Sequence, residues 1–303
     1  MPPDALRGMD LGTLGIWSGE LRAVPPADAA DAVAELEALG YGTVWVPGGS
    51  GGPVLELIAT LLDATSTMTL ATGILNVWMH DPADVAATRA ELEARHPGRF
   101  LLGLGISHAP LIDRESPGRY RRPLARMRAY LDELDAQPQP VPAERRVLAA
   151  LGPRMLELAR ERSAGAHPYF VPVAHTAFAR QVLGPDRILA PEQAVALQGD
   201  READRRAARR HVERYLALPN YTNNLLRHGF TDDDLRDGGS ERLLDAIVAG
   251  GGVEGIRARV AEHREAGADH VCLQVVGGEP GALPRDEWRT LAQALLGPGT
   301  PRR

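Results

Sequence analysis

The stretch REAGADHVCLQVV at 264–276 runs from the charged end of a helix, through Gly267, into an apolar run. A glycine suits the left-handed residue that closes a helix, and the β-branched and apolar residues after it suit a buried strand. The same junction is read in LEALGYGTVWV at 36–46 and RSAGAHPYFV at 162–171. Each is the αβ half of a βα unit, so the recurrence predicts an alternating α/β fold around a parallel sheet.

Working outward, the apolar runs predict eight strands: 11–17, 43–46, 68–75, 100–104, 146–150, 166–171, 187–190 and 270–276. Eight is the count of a (β/α)8 TIM barrel, and short, nearly all-apolar strands fit a sheet buried on both faces. In HDPADVAATRAELEARHPG, Asp81 reads as an N-cap and Pro82 as the first helical residue; GPRMLELARER predicts a helix over 153–162. Two insertions exceed a minimal barrel. Residues 105–145, after strand 4, hold a helix near 119–135, and residues 198–252, after strand 7, open with the Arg-rich helix DREADRRAARRHVERY at 200–215. Both lie on the side where barrels place their chemistry, which suits lids, oligomer contacts or plain elaboration. The Arg-rich run reads as a solvated face. No linker divides the chain, so residues 1–303 read as a single domain with its core at 10–296; the ends, 1–8 and 297–303, read as frayed tails.

Composition narrows the function. The chain carries a net charge of −6 with a pI near 5.9, which draws it to neither nucleic acid nor anionic lipid. No apolar stretch approaches the roughly 18 to 20 residues that span a bilayer, and MPPDALRGMD lacks the core of a signal peptide, so the cytoplasm is the expected location. All 34 basic residues are arginine. Schiff-base catalysis and Walker-A phosphate binding need a lysine and are excluded. The single Cys272, inside HVCLQVV, reads as a buried inert thiol.

A barrel's chemistry gathers at the C-terminal ends of its strands. There the sequence offers ATGILNVWMH with Gly73, Asn76 and His80; FLLGLGISH with Gly103, Gly105, Ser107 and His108; ALGPRM with Gly152, Pro153 and Arg154; and AHPYFVPVAHT with His167 and His175. LGLGIS lacks the third glycine and downstream acid of a dinucleotide fingerprint. At a strand end its glycines could let backbone approach a flat ring. LGPRM leads into a helix whose free amides point back to the barrel mouth, an anion site to which Arg154 can add a charge-assisted bond, although proline at that position is also an ordinary helix start. The four histidines invite a metal reading, but strand 1, LGTLGIWSGE, carries no ligand pair, and no metal is expected. An imidazole at position 108 could exchange protons near neutral pH.

Taken together, ATGILNVW with DPADVAA, EARHPGRFLLGLGISH, RRVLAALGPRMLELA, AGAHPYFVPVAHT, ILAPEQAV, NYTNNLLRHGFTDDDL and AGADHVCLQVV resemble the F420-dependent branch of the luciferase-like monooxygenase superfamily, over roughly residues 11–296. The resemblance implies a barrel cradling a deazaflavin, with a non-prolyl cis peptide at Gly73–Ile74 behind the ring. It implies ring-edge and ribityl contacts from Gly105, Ile106, Ser107 and His108, and a phosphate turn from Leu151, Gly152, Pro153, Arg154 and Met155. His167, Pro168 and Tyr169 would lie beside ring or phosphate, and a homodimer is implied. Two departures matter: VWVPGGSGGP carries only glycines where relatives place a His or acid after strand 2, and His108 stands where they place a glutamate. No family base transfers, which weakens a sugar-phosphate dehydrogenase reading.

The expectation is hydride transfer between coenzyme F420 and a small organic substrate, with His108 moving the proton and Asn76 donating a hydrogen bond. The alternatives are an FMN-dependent monooxygenase and a non-catalytic flavin or deazaflavin binder.

Overall fold

Pairing in the sheet is parallel throughout. The computed structural model describes residues 6, 8–279 and 281–297; the remaining tail positions, 1–5, 7 and 298–303, lie outside the described residues. Ten strands form one sheet: β1 (Leu14–Trp17), β2 (Thr43–Gly48), β3 (Thr69–Asn76), β4 (Phe100–Gly105), β5 (Arg146–Leu148), β6 (Gly165–Ala166), β7 (Ile188–Leu189), β8 (Glu192–Val195), β9 (Val248–Ala249) and β10 (Val271–Val275). Their order is β7-β6-β5-β4-β3-β2-β1-β10-β8-β9. β7 and β8 are separated only by Ala190 and Pro191, and a proline has no N–H for a ladder. β7 pairs with β6 while β8 pairs with β10, so one stretch of chain joins an edge strand to the strand beside the opposite edge, and the sheet curls. The architecture is α/β and TIM-barrel-like.

Alternation along the strands separates two cores. Val44, Val46, Leu102, Leu104 and Leu273 pack with the surrounding helices, whereas Trp45, Leu101, Val147 and Cys272 join a second cluster inside the curl. That interior is aromatic and hydrogen-bonded. The Trp45 indole stacks on His167 at 4.1 Å and donates from Nε1 to His270 Nε2 at 3.1 Å; the opposite nitrogen of His270 lies 2.9 Å from Gly12 O.

Most predicted elements stand, with shifted bounds. Gly40 and Gly267 take the left-handed conformation after their helices, at φ 93° and 102°. The junction at 162–171 differs: its helix ends at Arg162 on an extended Ser163, and Gly165 lies inside β6, where a Cβ would fall 1.9 Å from Ile188 O. The strand predicted over 166–171 stops at Ala166, because Pro168 cannot donate and Phe170 turns to φ 58°. Asp81 caps helix Pro82–Arg95 through Ala83 N at 2.8 Å. The single helix near 119–135 is replaced by Ala109–Glu115 and Pro123–Asp135. Helix Arg201–Leu216 is not a wholly solvated face, since Ala207, Ala208, His211 and Val212 are buried.

Candidate active site

A bulge in β3 sets the floor of the site. Ala71 faces Leu101 and Leu75 faces Leu104, so three residues of β3 oppose two of β4. Thr72 holds this offset: its hydroxyl donates to Gly103 O and accepts from Gly103 N, both at 2.8 Å. The Gly73–Ile74 peptide within the bulge is cis. The glycines of β4 are needed for this bulge. A Cβ on Gly103 would lie 1.9 Å from Thr72 O, and one on Gly105 would lie 2.3 Å from Ile74 Cδ1. They make room for the bulge itself.

Above this floor opens a cavity of about 1120 Å³. Gly73, Ile74, Asn76, Gly105, Ile106, Ser107, His108, Leu151, Gly152, Pro153, Arg154, Met155, His167 and Tyr169 all line it. Of the residues the sequence assigned to catalysis or cofactor binding, Pro168 alone does not; it is buried behind, its carbonyl accepting from Glu192 N, and the strand-end candidates His80, Gly103 and His175 also lie off the lining. Asn76 lines the wall with its amide already engaged, donating to Gly49 O at 3.0 Å and accepting from Trp78 N at 3.1 Å. It pins the loop after β2 to the bulge.

Trp17, Pro47, Gly49, Ser50 and Met79 line the cavity from the ends of β1 to β3, and much of the remaining wall comes from the two long segments after β4 and β8. Tyr120, Tyr215, Asn220 and Tyr221 reach the cavity from them, and sequence reasoning had assigned none of the four. NYTNNLLRHGF held the clue for two of them: helix Pro219–Arg227 puts Asn220 and Tyr221 toward the barrel mouth. Asn220 Nδ2 donates to Ser107 O at 3.1 Å, and Tyr120 OH donates to the same carbonyl at 3.3 Å, which ties both segments to the end of β4.

Two imidazoles face this space in the neutral form. His108 lies 4.6 Å from the Tyr221 ring, and its Nδ1 is buried without a partner. Burial pushes its pKa down to about 4, so it does not titrate near neutral pH as its sequence setting suggested. His167 is depressed to about 4 by burial as well; its Nδ1 lies 2.7 Å from Ala190 O, which fixes the proton there and leaves Nε2 as an acceptor. Beside it, Tyr169 OH donates to Gln274 Oε1 at 2.8 Å and accepts from Tyr215 OH at 2.6 Å. Behind these tyrosines Glu192, fully buried, has its carboxyl pushed up to about 8 by desolvation and accepts only from Phe170 N. Its placement was not foreseen.

The phosphate-turn candidate is a helix start open to the cavity. Gly152 caps helix Pro153–Arg162, with nothing within 4 Å of where its Cβ would be. The helix's first amides lack intrahelical acceptors, and its positive end points to the cavity. His175 steadies the turn, its Nε2 3.0 Å from Leu151 O. Among the described residues, no group of three or more His, Cys, Asp or Glu side chains is placed to hold a metal, and no helix is long and apolar enough to cross a membrane.

Comparison with known proteins adds a family likeness. A luciferase-like monooxygenase model matches residues 11–136, which covers the bulge and the β4 terminus. The luciferase-like resemblance holds. A provisionally assigned coenzyme F420-dependent oxidoreductase of Mycobacterium tuberculosis is 29% identical over 170 residues, 55% of this chain. The match spans 47% of that relative's own length. Among solved structures, an F420-dependent secondary alcohol dehydrogenase, in complex with an F420-acetone adduct, superposes with a TM-score of 0.71 at 15% identity, covering 98% of this chain and 99% of that one. A type II Baeyer-Villiger monooxygenase from Pseudomonas putida in complex with FMN gives 0.67 at 14% identity, covering 93% and 96%. At such identities the two structures speak for the fold. The fold is thus shared with an F420-dependent enzyme and with an FMN-bound one.

Proposed function

We infer that this chain is an oxidoreductase that moves a hydride between coenzyme F420 and a small organic substrate. The observation that carries the reading is one cavity in which the β3 bulge and the Gly152–Pro153 helix start face the same space. Its volume, about 1120 Å³, is generous for a phosphorylated tricycle with substrate beside it. The residues fit such a group: open space over Gly152 and buried imidazole nitrogens without partners, while Gly73 leaves room for the Trp17 indole, 2.7 Å from where its Cβ would be. When bound, the coenzyme gives or accepts a hydride at C5 of its deazaflavin.

In this reading the chain supplies position and polarity. Ile74, seated against Gly105, presents an apolar surface for a ring face, and the helix amides with Arg154 hold the phosphate. His108, kept uncharged by burial, offers one hydrogen bond at Nδ1 and takes or returns the substrate proton. The tyrosines and the ties at Ser107 exclude water. Asn76 acts through the loop it pins.

FMN is the second reading, favoured by the fold shared with the FMN-bound monooxygenase. Titrating the purified protein with each cofactor separates the two. Saturable F420 binding with weak or absent FMN binding is expected; tight FMN binding without F420 binding overturns the assignment. A chain that binds F420 yet turns over no member of a broad panel of alcohols, imines and activated alkenes is a binder, not an enzyme.

A further inference from the structure

Four tyrosines line the cavity: Tyr120, Tyr169, Tyr215 and Tyr221. Three have spent their hydroxyls on the protein. Tyr120 OH donates to Ser107 O, Tyr215 OH donates to Tyr169 OH, and Tyr169 OH donates in turn to Gln274 Oε1. Tyr221 differs: its hydroxyl has no hydrogen-bond partner among the described residues, although the residue is only 8% exposed. A phenol so withdrawn from solvent, and unbonded to protein, is a donor left for what enters the cavity.

Helix Pro219–Arg227 sets it there. Asn220, beside it in the first turn, fastens that end of the helix to Ser107 O at 3.1 Å. The Tyr221 ring meets His108 at 4.6 Å, Phe170 at 5.2 Å and Tyr215 at 5.4 Å, so rings fix it on three sides. The wall continues through Tyr169 to Trp17, 5.1 Å further on. It is aromatic throughout and, with His108 neutral, uncharged. Burial holds the Tyr221 pKa well above the ordinary 10, so the phenol keeps its proton at neutral pH. An acid that weak does not protonate an imine, and the carbons of an alkene offer it no lone pair. A carbonyl oxygen on its way to an alkoxide accepts first a hydrogen bond and then the proton, because an alkoxide is the stronger base.

We propose that Tyr221 is a catalytic residue, the proton donor to the oxygen of an aryl ketone or aldehyde held against this aromatic wall. The proposal rests on the deazaflavin reading above and narrows its substrate. The carbonyl carbon takes up the hydride, the π pair of the C=O bond passes to oxygen, and that oxygen takes the phenolic proton to give an alcohol. The phenolate regains a proton from water by way of His108, whose neutral ring takes one on one nitrogen as it releases one from the other. The reverse sequence oxidises the alcohol.

The test compares acetophenone with α-methylstyrene, which has the same shape with a methylene group in place of the oxygen. Binding of each to protein loaded with oxidised F420 is followed by NMR titration, in wild type and Tyr221→Phe, with a thermal melt and the F420 affinity measured alongside. Wild type should bind the ketone about fivefold tighter, the size of one hydrogen bond, and Tyr221→Phe should erase that preference while holding α-methylstyrene and F420 as before. Turnover of acetophenone with reduced F420 should fall on the order of 100-fold in the variant. Equal wild-type affinity for the two probes, or binding of neither, overturns the aryl-carbonyl substrate and needs no variant. A preference or a turnover that survives in Tyr221→Phe overturns the role of the phenol. In each of these cases saturable F420 binding leaves the deazaflavin reading intact. Protein that binds no F420 yet prefers the ketone through Tyr221 overturns the cofactor reading and supports the hydrogen bond.

Discussion

On the floor of the cavity, between β3 and β6, position is held by backbone. Gly103 and Gly105 admit the bulge, Thr72 bonds both polar groups of Gly103, and the His167 ring is clamped between Trp45 and Ala190 O. Over the roof, position is held by side chains reaching from long segments: Asn220 and Tyr120 to one carbonyl, and the Tyr221 ring to His108. A floor fixed by steric exclusion tolerates almost no substitution, whereas a roof of single hydrogen bonds can be rebuilt. The difference accounts for how one barrel serves several chemistries, with a constant seat and a variable lid.

The sharpest way to break this contrast is to add one carbon to the floor. Gly103→Ala places a methyl 1.9 Å from Thr72 O, a backbone atom that cannot swing aside, and a stability loss of roughly 3 kcal/mol or more is expected. Gly152→Ala, with open space around it and φ −89°, is the matched control and costs only a few tenths of a kcal/mol, on the order of a cap exchange. Urea melts of both variants decide. If Gly103→Ala melts like wild type, the floor is not set by exclusion.

The second prediction concerns a polar group where floor and roof meet. His108→Phe keeps a ring against Tyr221 and removes the nitrogens, so kcat should fall on the order of 100-fold while the melting temperature holds. Unchanged turnover in an F420-linked assay removes His108 from the proton path.

Legibility in the sequence follows the same division. The alternation of helix and strand, the Asp81 cap and the Gly40 and Gly267 turns are local, and each was readable from a few adjacent residues. ALGPRM was readable because a helix start is also local. Gly103 and Gly105 were visible as glycines but not for their reason, since the atoms they avoid belong to β3. Asn220 and Tyr221 were visible only as part of NYTNNLLRHGF, and Tyr215 reaches the cavity through the path of a long segment, which no local pattern encodes. The neutrality of His108 is likewise a tertiary property: a surface imidazole at position 108 would titrate near pH 6.5, and burial moves it.

Burial also predicts how stability depends on pH. His108 and His167 are lowered to about 4, and His175, His211 and His263 to about 3, all by desolvation. Below about 6.5 the unfolded chain takes up protons that the folded chain refuses, so stability falls as pH drops from there toward 4. Glu192 acts in the opposite sense. Raised to about 8, its carboxyl favours the folded state below the ordinary value of 4.5 and loses that contribution as pH rises through 8. Melting curves of wild type and Glu192→Gln at pH 5 and pH 8 isolate it. The variant should gain on wild type by several degrees at the higher pH, and parallel behaviour at both pH values would show that the carboxyl is not held neutral.

The smallest effect belongs to the roof. Asn220→Ala removes the donor to Ser107 O and leaves Tyr120 bonded to the same carbonyl, so one of two ties is cut. A single hydrogen bond of this kind is worth about 1 kcal/mol, or roughly fivefold in an equilibrium. That loss should appear as a raised KM for substrate, with cofactor affinity changed by less, because the tie spans the lid and not the phosphate turn. A drop in cofactor affinity equal to the rise in KM would mean that floor and roof are one cooperative unit. In that event the separation between a fixed seat and an adjustable lid fails, and substitutions in the segments after β4 and β8 should disturb the ring site as strongly as those in β3.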